Sequence, residues 1–397
     1  MKRERVDELL EKYEKTVIDH YHWLHAHPEV SGQEKETAAY IADTLRQMGL
    51  EPVEHVGGFG VTALIHGRKP GRCIGLRADI DALPITECTG LPFASQNPGV
   101  MHACGHDAHA AMLLGAALIL NEQQDTFDGC VKLIFQPSEE NSAESGAKRM
   151  IEDGVLENPH VDAIIGQHID TWCDTGMIST RPGIASAASD RFFITIDGKG
   201  SHACGPHKGV DAIVIGAQIV SALQTIVARN VDPYVSAVIT IGKFVGGSRY
   251  NVLGNHVEME GTCRNHDLAT RDIIARRMEA IVKGIAESMG ANCEFRYVRG
   301  YSPMINAPEM VEFVREATVE WFGEEKFNIQ QKAIMGGEDF SFFQEKVPGV
   351  YYRTGCHKAG DPYLSVHNEY LVVDPACFPV GIRVMVTSAL NYLEQEK

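Results

Sequence analysis

Three short apolar runs, each followed at once by polar side chains, constrain the fold of this chain more than any other feature. The runs cover residues 73–77, 130–135 and 161–166, and each has the length and composition of a buried strand. Helical patterns lie between them, so we predict an α/β unit with a largely parallel sheet covered by helices on both faces. The carboxyl ends of parallel strands open on one crevice of such a sheet, and side chains placed there are candidates for a functional site.

The side chains that follow these runs are of the kinds that bind metal ions or move protons. Asp79 and Asp81 point the same way if the first run stays extended. One of them could ligate or orient a metal, or Asp81 could simply cap the loop, and both interpretations remain open. Glu139 and Glu140 follow the second run, where adjacent carboxylates repel unless they share a cation or a proton. One of the pair then suits a metal and the other a general base, the alternative being a solvated acidic loop. His168 follows the third run.

The segment 101–113, MHACGHDAHAAML, concentrates further metal-binding side chains just before an apolar helical pattern. It contains Cys104, His106, Asp107 and His109. A loop before a helix can turn several donors inward, and a thiolate with imidazoles suits a borderline divalent ion such as zinc. The alternative is that Cys104 is a small buried apolar residue and that the histidines are ordinary surface or capping residues.

The length of the chain, 397 residues, exceeds what one hydrophobic core usually supports, so two domains are expected. After residue 185 the pattern changes to strand, helix, strand, strand, helix, strand, an order that resembles the ferredoxin-like motif. We therefore predict a second domain over residues 186–298, inserted into a first domain formed by residues 1–185 and 299–397.

The net charge of -17 argues against nucleic-acid partners, because sequence-independent nucleic-acid binding needs a basic face. The amino-terminal segment lacks the apolar core of a signal peptide, and no run is expected to reach the ~18 apolar residues that a membrane span needs. Ten cysteines are spread singly along the chain, which indicates reduced thiols. We thus expect a cytoplasmic protein with no membrane or nucleic-acid partner.

These motifs, together with others in the chain, resemble those of the M20 metallopeptidase family. The likeness is strongest to its amidohydrolase branch, which contains hippurate hydrolases, N-acyl-amino-acid deacylases and auxin-conjugate hydrolases. The matching segments occur in family order and cover nearly the whole chain: LHAHPEVSGQE, LRADIDALPI, MHACGHDAHAAMLLGAA, FQPSEE, GKGSHACGPHKGVDAI, NVLGNHVEMEGTCR, MGGEDFSFF and VHNEYLVVD. The resemblance implies a metallopeptidase-type α/β/α catalytic domain and an inserted ferredoxin-like α+β domain that serves as a lid and as a dimer interface.

The resemblance also implies a metal site with a general base beside it. Ligands for one or two divalent ions fall on Cys104, His106, Glu140, His168 and His367. The general base of the family falls on Glu139. Zinc is the first expectation because a thiolate is a soft ligand, although manganese, cobalt or nickel could occupy the same mixed site.

Three residues within 186–298 match family positions that act on the substrate. His202 matches a histidine that reaches the active site of a neighbouring subunit and helps to polarise the scissile carbonyl, whereas a turn histidine is otherwise more often just exposed. Asn251 and Arg264 match positions that hold a substrate carboxylate, for which an arginine fork is well suited. A surface salt bridge is the alternative for Arg264. The motif MGGEDF contains Glu338 and Asp339, to which we assign no chemical role.

The activity implied by the resemblance is metal-dependent hydrolysis of the amide bond of N-acyl amino acids by a homodimer or a larger homo-oligomer. A metal-activated water would attack the carbonyl, and Glu139 would carry its proton to the leaving nitrogen. A metallo-dipeptidase or aminopeptidase is the main alternative, and a non-catalytic protein that binds acyl amino acids is the other. Ile169, Asp170 and Gly254 depart from the usual family pattern near the substrate region, which leaves the specificity open.

Overall fold

The computed structural model describes residues 2–395, and their contacts divide the chain into two compact units. Unit 1 comprises the chain up to Gly183, then Ile305–Lys332, and then the part from Asp339 onward. Unit 2 comprises Ile184–Met304 and Ala333–Glu338. The sequence analysis placed the two domain boundaries after residues 185 and 298. It also assigned the segment 333–338 to the first domain, whereas this segment packs within unit 2.

The described residues form nine α-helices and fourteen β-strands. The helices are α1 Lys2–Ala26, α2 Lys35–Gln47, α3 His106–Asn121, α4 Gly146–Glu152, α5 Ala212–Asn230, α6 Leu268–Ser288, α7 Pro308–Phe322, α8 Ser341–Gln344 and α9 Phe378–Glu394. The strands are β1 Val53–Val56, β2 Gly60–His66, β3 Cys73–Asp79, β4 Cys130–Gln136, β5 Ala163–Asp174, β6 Ile178–Thr180, β7 Gly183–Ser186, β8 Ala188–Asp197, β9 Ala237–Gly246, β10 His256–Asn265, β11 Asn292–Tyr301, β12 Met304–Asn306, β13 Phe327–Ile329 and β14 Gly349–His357.

Unit 1 is built on a sheet with the strand order β1-β2-β4-β3-β5-β14-β6-β13. The four central strands, β4, β3, β5 and β14, are parallel to one another. Strands β2 and β6 pair with this centre in the antiparallel sense. The predicted α/β class is therefore confirmed, and the predicted parallel sheet is found at its centre, while the antiparallel flanks were not predicted. Because β3, β4 and β5 run the same way, their carboxyl ends share one edge of the sheet, which we call the carboxyl edge.

The core of unit 1 surrounds α3, whose sequence is apolar on nearly all sides. A helix of this kind is stable only when it is covered all round. Here α1, α9 and β3 pack against it. Strands β3 and β4 are buried at every position, which explains their continuous apolar sequences. The start of α3 therefore lies in the interior, beside the carboxyl edge, and this placement brings its first residues to the candidate site.

Unit 2 contains an antiparallel sheet with the strand order β11-β8-β10-β9. Helices α5 and α6 pack on this sheet and supply one apolar stripe each to its core. Both helices begin at an aspartate whose side chain accepts backbone N–H bonds, Asp211 for α5 and Asp267 for α6. The connection order β8-α5-β9-β10-α6-β11 is the one that the sequence pattern predicted for the inserted segment. Its function as a lid and dimer interface stays a prediction.

Two helical segments of the described chain are long and apolar enough to cross a membrane by length and composition alone, Ala212–Asn230 and Pro375–Glu394. The expectation that no segment reaches this length was therefore wrong. In Pro375–Glu394, 78% of the apolar window is buried inside the protein, so core packing accounts for its composition. In Ala212–Asn230 the buried share is 33%, contributed by the face that packs on the unit 2 sheet.

Candidate metal centre

The five predicted ligands and the predicted base come together in unit 1. Their segments all meet at the carboxyl edge or beside it: the turn before α3, the start of α3, the turn after β4, the middle of β5, and the loop between β14 and α9. The backbone N–H of His367 donates to the carbonyl of Ala103 at 2.6 Å, which ties the last of these loops to the turn that carries Cys104. His367 itself has a φ of 64°, an unusual value for a residue with a side chain, and this contact helps to hold it there.

The donor atoms form two groups that share one residue. The ligand atoms of Cys104, His106 and His168 lie within 4.8 Å of one another, and so do those of Cys104, Glu140 and His367. Each group offers a thiolate and at least one imidazole, a donor set that suits zinc and similar divalent ions. The shared Cys104 places the two groups side by side.

The histidine rings are oriented so that one nitrogen is held and the other remains for a metal. His168 donates from Nδ1 to the carbonyl oxygen of Ile169 at 2.6 Å, and a carbonyl can only accept, so Nε2 keeps its lone pair. His106 Nδ1 lies 3.2 Å from Oδ1 of Asp81. Its buried Nε2 makes no hydrogen bond to any residue that the structure describes. A buried nitrogen without a partner is costly unless an ion accepts its lone pair, so these residues fit a divalent ion.

Burial and charge set the protonation of the ligands. Burial, and then the Glu140 carboxylate, raise the pKa of the Cys104 thiol. Hydrogen bonding to Cys104 and to Glu140 raises the pKa of His367 to about 10, and its Nε2 lies 3.0 Å from Oε1 of Glu140. Burial lowers the pKa of His168 well below its usual value, which keeps this ring neutral. A divalent ion would bind the thiolate of Cys104 and the neutral ring of His367, so proton release should accompany metal binding.

The predicted base lies directly beside the ligands. The donor atoms of Glu139, Glu140 and His106 lie within 4.8 Å of one another, and Glu139 is 7% exposed. The adjacent carboxylates are thus not a solvated acidic loop, which was the alternative that the sequence left open. This position allows Glu139 to exchange a proton with a water held at the ligand cluster.

Asp81, whose role the sequence left open, orients two of the predicted ligands. Its Oδ1 faces Nδ1 of His106. Its Oδ2 accepts the backbone N–H of Glu140 at 3.0 Å and the hydroxyl of Ser31 at 2.6 Å. A carboxylate that accepts from the distal nitrogen of a metal-binding histidine is a common way to fix the ring. The alternation of Asp79 and Asp81 gave the direction of these side chains, but their partners lie far away in the sequence.

The turn that carries Glu139 is held by a residue that the sequence analysis missed. Ser138 has a φ of 53°, in the left-handed region. Glu34, which is fully buried, accepts the N–H of Ser138 at 2.8 Å and lies 3.2 Å from its hydroxyl. On the other side of the turn, a Cβ on Gly146 would lie 1.6 Å from the carbonyl oxygen of Pro137, so only glycine fits there. The EVSGQE segment that contains Glu34 gave no sequence signal for this contact.

The three predicted substrate residues lie in unit 2. His202 is exposed in the turn after β8. This is the position expected for an ordinary turn histidine. The turn pairs with the segment that carries Asn251, since the N–H of Ala203 donates to the Asn251 carbonyl at 3.1 Å. Asn251 Oδ1 is buried and has no hydrogen bond within the described part of the chain. Arg264 lies on β10 and is half-buried. Their roles towards a substrate stay predictions.

An α/β fold whose carboxyl edge gathers a cysteine, three histidines and two adjacent glutamates is typical of the class of metal-dependent hydrolases. Residues 75–391 match the model of Peptidase family M20/M25/M40. The chain belongs to this family and is a hydrolase that acts on amide bonds.

Relatives of known name support this assignment. The N-acyl-L-amino acid amidohydrolase of Geobacillus stearothermophilus is 45% identical over 309 residues, which are 78% of this chain and 83% of the relative. The N-acetyl-L-cysteine deacetylase of Bacillus subtilis (strain 168) is 42% identical over 343 residues, 86% of this chain and 80% of the relative. A solved structure, the YXEP protein of Bacillus subtilis, described as a dinuclear metal binding peptidase from the M20 family, has a TM-score of 0.84 at 34% identity and covers 97% of this chain and 100% of that one.

Proposed function

We propose that this chain hydrolyses the amide bond of N-acyl amino acids and releases a carboxylic acid and a free amino acid. The observation that carries the proposal is the position of Glu139, whose carboxylate lies within 4.8 Å of donor atoms of His106 and Glu140. A protein that only binds acyl amino acids has no need for a base at this position. The names of the relatives at 42% and 45% identity support the acyl amino acid as the substrate class.

The chemistry divides between the ion and the protein. Cys104, His106, Glu140, His168 and His367 would hold the divalent ion, which would supply Lewis-acid chemistry to a water and to the substrate carbonyl. Glu139 accepts the proton of the attacking water and then donates it to the leaving nitrogen, so that the amine departs neutral. His202, contributed by a neighbouring subunit, stabilises the negative charge on the carbonyl oxygen. Asn251 and Arg264 hold the carboxylate of the amino acid.

One or two ions per chain are part of the proposal, with zinc first and manganese, cobalt or nickel as alternatives. The two donor groups that share Cys104 support two ions. The softness of the thiolate favours zinc, while affinity alone does not decide among these metals in a cell.

We also propose a homodimer formed through unit 2. Among the described strands, β9 forms the outer edge of the unit 2 sheet and has no strand paired on one side. Large apolar side chains are exposed on or near this strand: Val238, Phe244, Val245, Ile213 and Val214. An open strand edge with exposed apolar residues is a surface that a second copy can cover. The cytoplasmic location remains a prediction.

The test is hydrolysis of a substrate panel by purified protein that is stripped of metal and then reloaded separately with Zn, Mn, Co or Ni. The panel contains N-acetyl and N-benzoyl amino acids and dipeptides with a free amino group, and released amine is measured. Metal-dependent release from the acyl amino acids is expected. Release from the dipeptides alone would replace the proposal by a peptidase, and tight binding of acyl amino acids without product would replace it by a binding protein.

A further inference from the structure

His109 is the third histidine of the segment 101–113, and the proposed function gives it no role. Its donor atoms lie within 4.8 Å of those of Asp79 and His106, so that it could be mistaken for a metal ligand. Both of its ring nitrogens are already engaged. Nε2 accepts the backbone N–H of Ile169 at 2.9 Å, and Nδ1 lies 2.5 Å from Oδ1 of Asp79. Because an amide N–H can only donate, Nε2 carries no proton and its lone pair is occupied.

The group that His109 holds is the backbone next to a predicted ligand. Ile169 follows His168, and its carbonyl oxygen is the acceptor for Nδ1 of His168. The N–H of the same residue is the group bound by His109. The two imidazoles also pack edge to face, with ring centroids 4.6 Å apart. The side chain of Ile169 occupies the space beside Gly105, where a Cβ would come within 2.4 Å of Cδ1. Ile169 therefore links His109, His168 and the turn at Gly105.

His109 is itself held by a network of buried charged residues. The second carboxylate oxygen of Asp79 accepts a hydrogen bond from Arg77 at 2.7 Å. Arg77 also donates to Oε1 of Gln136 at 2.7 Å and to Oδ1 of Asp339 at 3.0 Å. Asp79, Arg77, Gln136 and Asp339 are all fully buried. This network extends from the MGGEDF segment to His109. It gives Asp339 a structural role that the sequence did not reveal.

Removing one guanidinium and two carboxylates from water costs free energy. Packing of the core would not by itself require charged side chains at these positions. Among the described residues, His109 is the hydrogen-bond partner that connects Asp79 to the ligands, since the distance from Oδ2 of Asp79 to Nε2 of His106 is 3.8 Å. Loss of a partner that fixes the orientation of a metal ligand typically lowers the metal affinity by about 10–100-fold.

We infer that His109 is a positioning residue for the ion bound by Cys104, His106 and His168, and that the network Asp79–Arg77–Asp339 keeps the His109 ring in place. The inference rests on the proposed metal centre but not on the proposed substrate. Its specific consequence follows from the two donor groups. Only one of them contains His168, so the loss of His109 should weaken one ion much more than the other.

The test compares His109→Leu with His109→Gln in the full-length protein. Leucine removes both hydrogen bonds at similar volume, whereas the Gln side-chain oxygen can still accept the Ile169 N–H. Metal-free protein is titrated with Zn²⁺ against a chromophoric chelator, and the number of ions and their affinities are measured. Thermal unfolding of the metal-free variants is recorded in parallel.

The wild-type chain should bind two ions. His109→Leu should keep one at unchanged affinity and bind the other about 10–100-fold more weakly, while His109→Gln should recover most of this loss. His20→Leu is the control, because it removes a partly buried histidine whose hydrogen bond goes to Tyr40, at 2.7 Å, and not to a predicted ligand. It should lower the unfolding temperature and leave both ions unchanged.

Several results would overturn the inference. They are a single ion in the wild-type protein, an equal loss of both ions in His109→Leu, no loss at all, or no recovery in His109→Gln. None of these measurements requires turnover, so a failure of the substrate assignment would leave them interpretable.

Discussion

Each unit buries an arginine against an aspartate, but the two networks end differently. In unit 1, Arg77 bonds Asp79 and Asp339, and Asp79 continues to His109 beside the ligands. In unit 2, Arg271 forms two hydrogen bonds to Asp190, at 2.8 and 2.5 Å.

In unit 2, the hydrogen bonds described for this ion pair connect the sheet to the helix that covers it. Asp190 also accepts the Tyr297 hydroxyl at 2.7 Å and the N–H of Gly300 at 3.0 Å, and Arg271 donates to the Gly300 carbonyl at 2.9 Å. All of these contacts join β8 and α6 to β11. The same kind of ion pair thus stabilises local structure in unit 2, whereas in unit 1 it leads to the functional site. The burial of an ion pair therefore does not show whether it serves stability or function. The residues to which the pair is hydrogen-bonded distinguish the two cases.

The largest expected effect separates chemistry from positioning, because Glu139 moves a proton itself while the Arg77 network only holds other groups. Glu139→Gln keeps the shape of the side chain but cannot accept a proton. We expect kcat to fall by about 10²–10⁴-fold at unchanged metal content. Steady-state kinetics and metal analysis on the same sample measure both quantities. The control is Glu144→Gln, an exposed residue of the same loop, which should leave kcat unaltered. An unchanged kcat in Glu139→Gln would remove the base assignment.

The sequence predicted this part of the site well because it depends on local pattern. Each apolar run became a central strand, and the residues after it reached the carboxyl edge because parallel strands end together. The sequence could not give the partners of these residues. The contact of Glu34 with Ser138 joins positions 104 residues apart, and the role of His109 depends on a backbone N–H that has no sequence signature.

The extent of some strands was also beyond the sequence pattern. The apolar run that predicted β5 ends at residue 166, whereas the strand continues to Asp174. Its later residues, QHIDTWCD, are mostly polar, and they stay in the sheet because β14 pairs with them as far as His357. Pairing with a neighbour that is distant in sequence decided this boundary, and periodicity within the strand did not record it.

The next effect is on stability, and it tests the unit 2 side of the comparison. Arg271→Met leaves Asp190 buried without its guanidinium partner. We expect a loss of about 3–5 kcal/mol in the free energy of unfolding, with no change in metal affinity. Thermal unfolding and a zinc titration measure the two. The double variant Arg271→Met/Asp190→Leu should recover part of the loss, because it removes the unpaired buried charge, while the Tyr297 hydroxyl and the Gly300 N–H lose their acceptor. Weaker metal binding in Arg271→Met would break the distinction between the two networks.

The smallest expected effect concerns an exposed pair and shows whether burial decides these magnitudes. His256 lies at the start of β10, with Nδ1 2.7 Å from Asp197 and Nε2 3.4 Å from Glu258. Its side chain is 48% exposed. Hydrogen bonding to Asp197, and then to Glu258, raises its pKa above the usual value of 6.5. A raised pKa in the folded state stabilises the protein below the unfolded pKa, and this contribution is lost as the pH rises through the folded pKa.

His256→Gln should therefore cost about 0.5 kcal/mol near pH 6, where the histidine is charged and the carboxylates are ionised, and nothing near pH 9. Added salt should reduce the difference at pH 6, since both partners face solvent. Denaturant unfolding of the two proteins at the two pH values measures it. A cost near that of Arg271→Met would mean that burial does not distinguish the ion pairs of unit 2. A cost that grows with pH would contradict the sign of the pKa shift, because removing the charge of the imidazole must remove its attraction to both carboxylates.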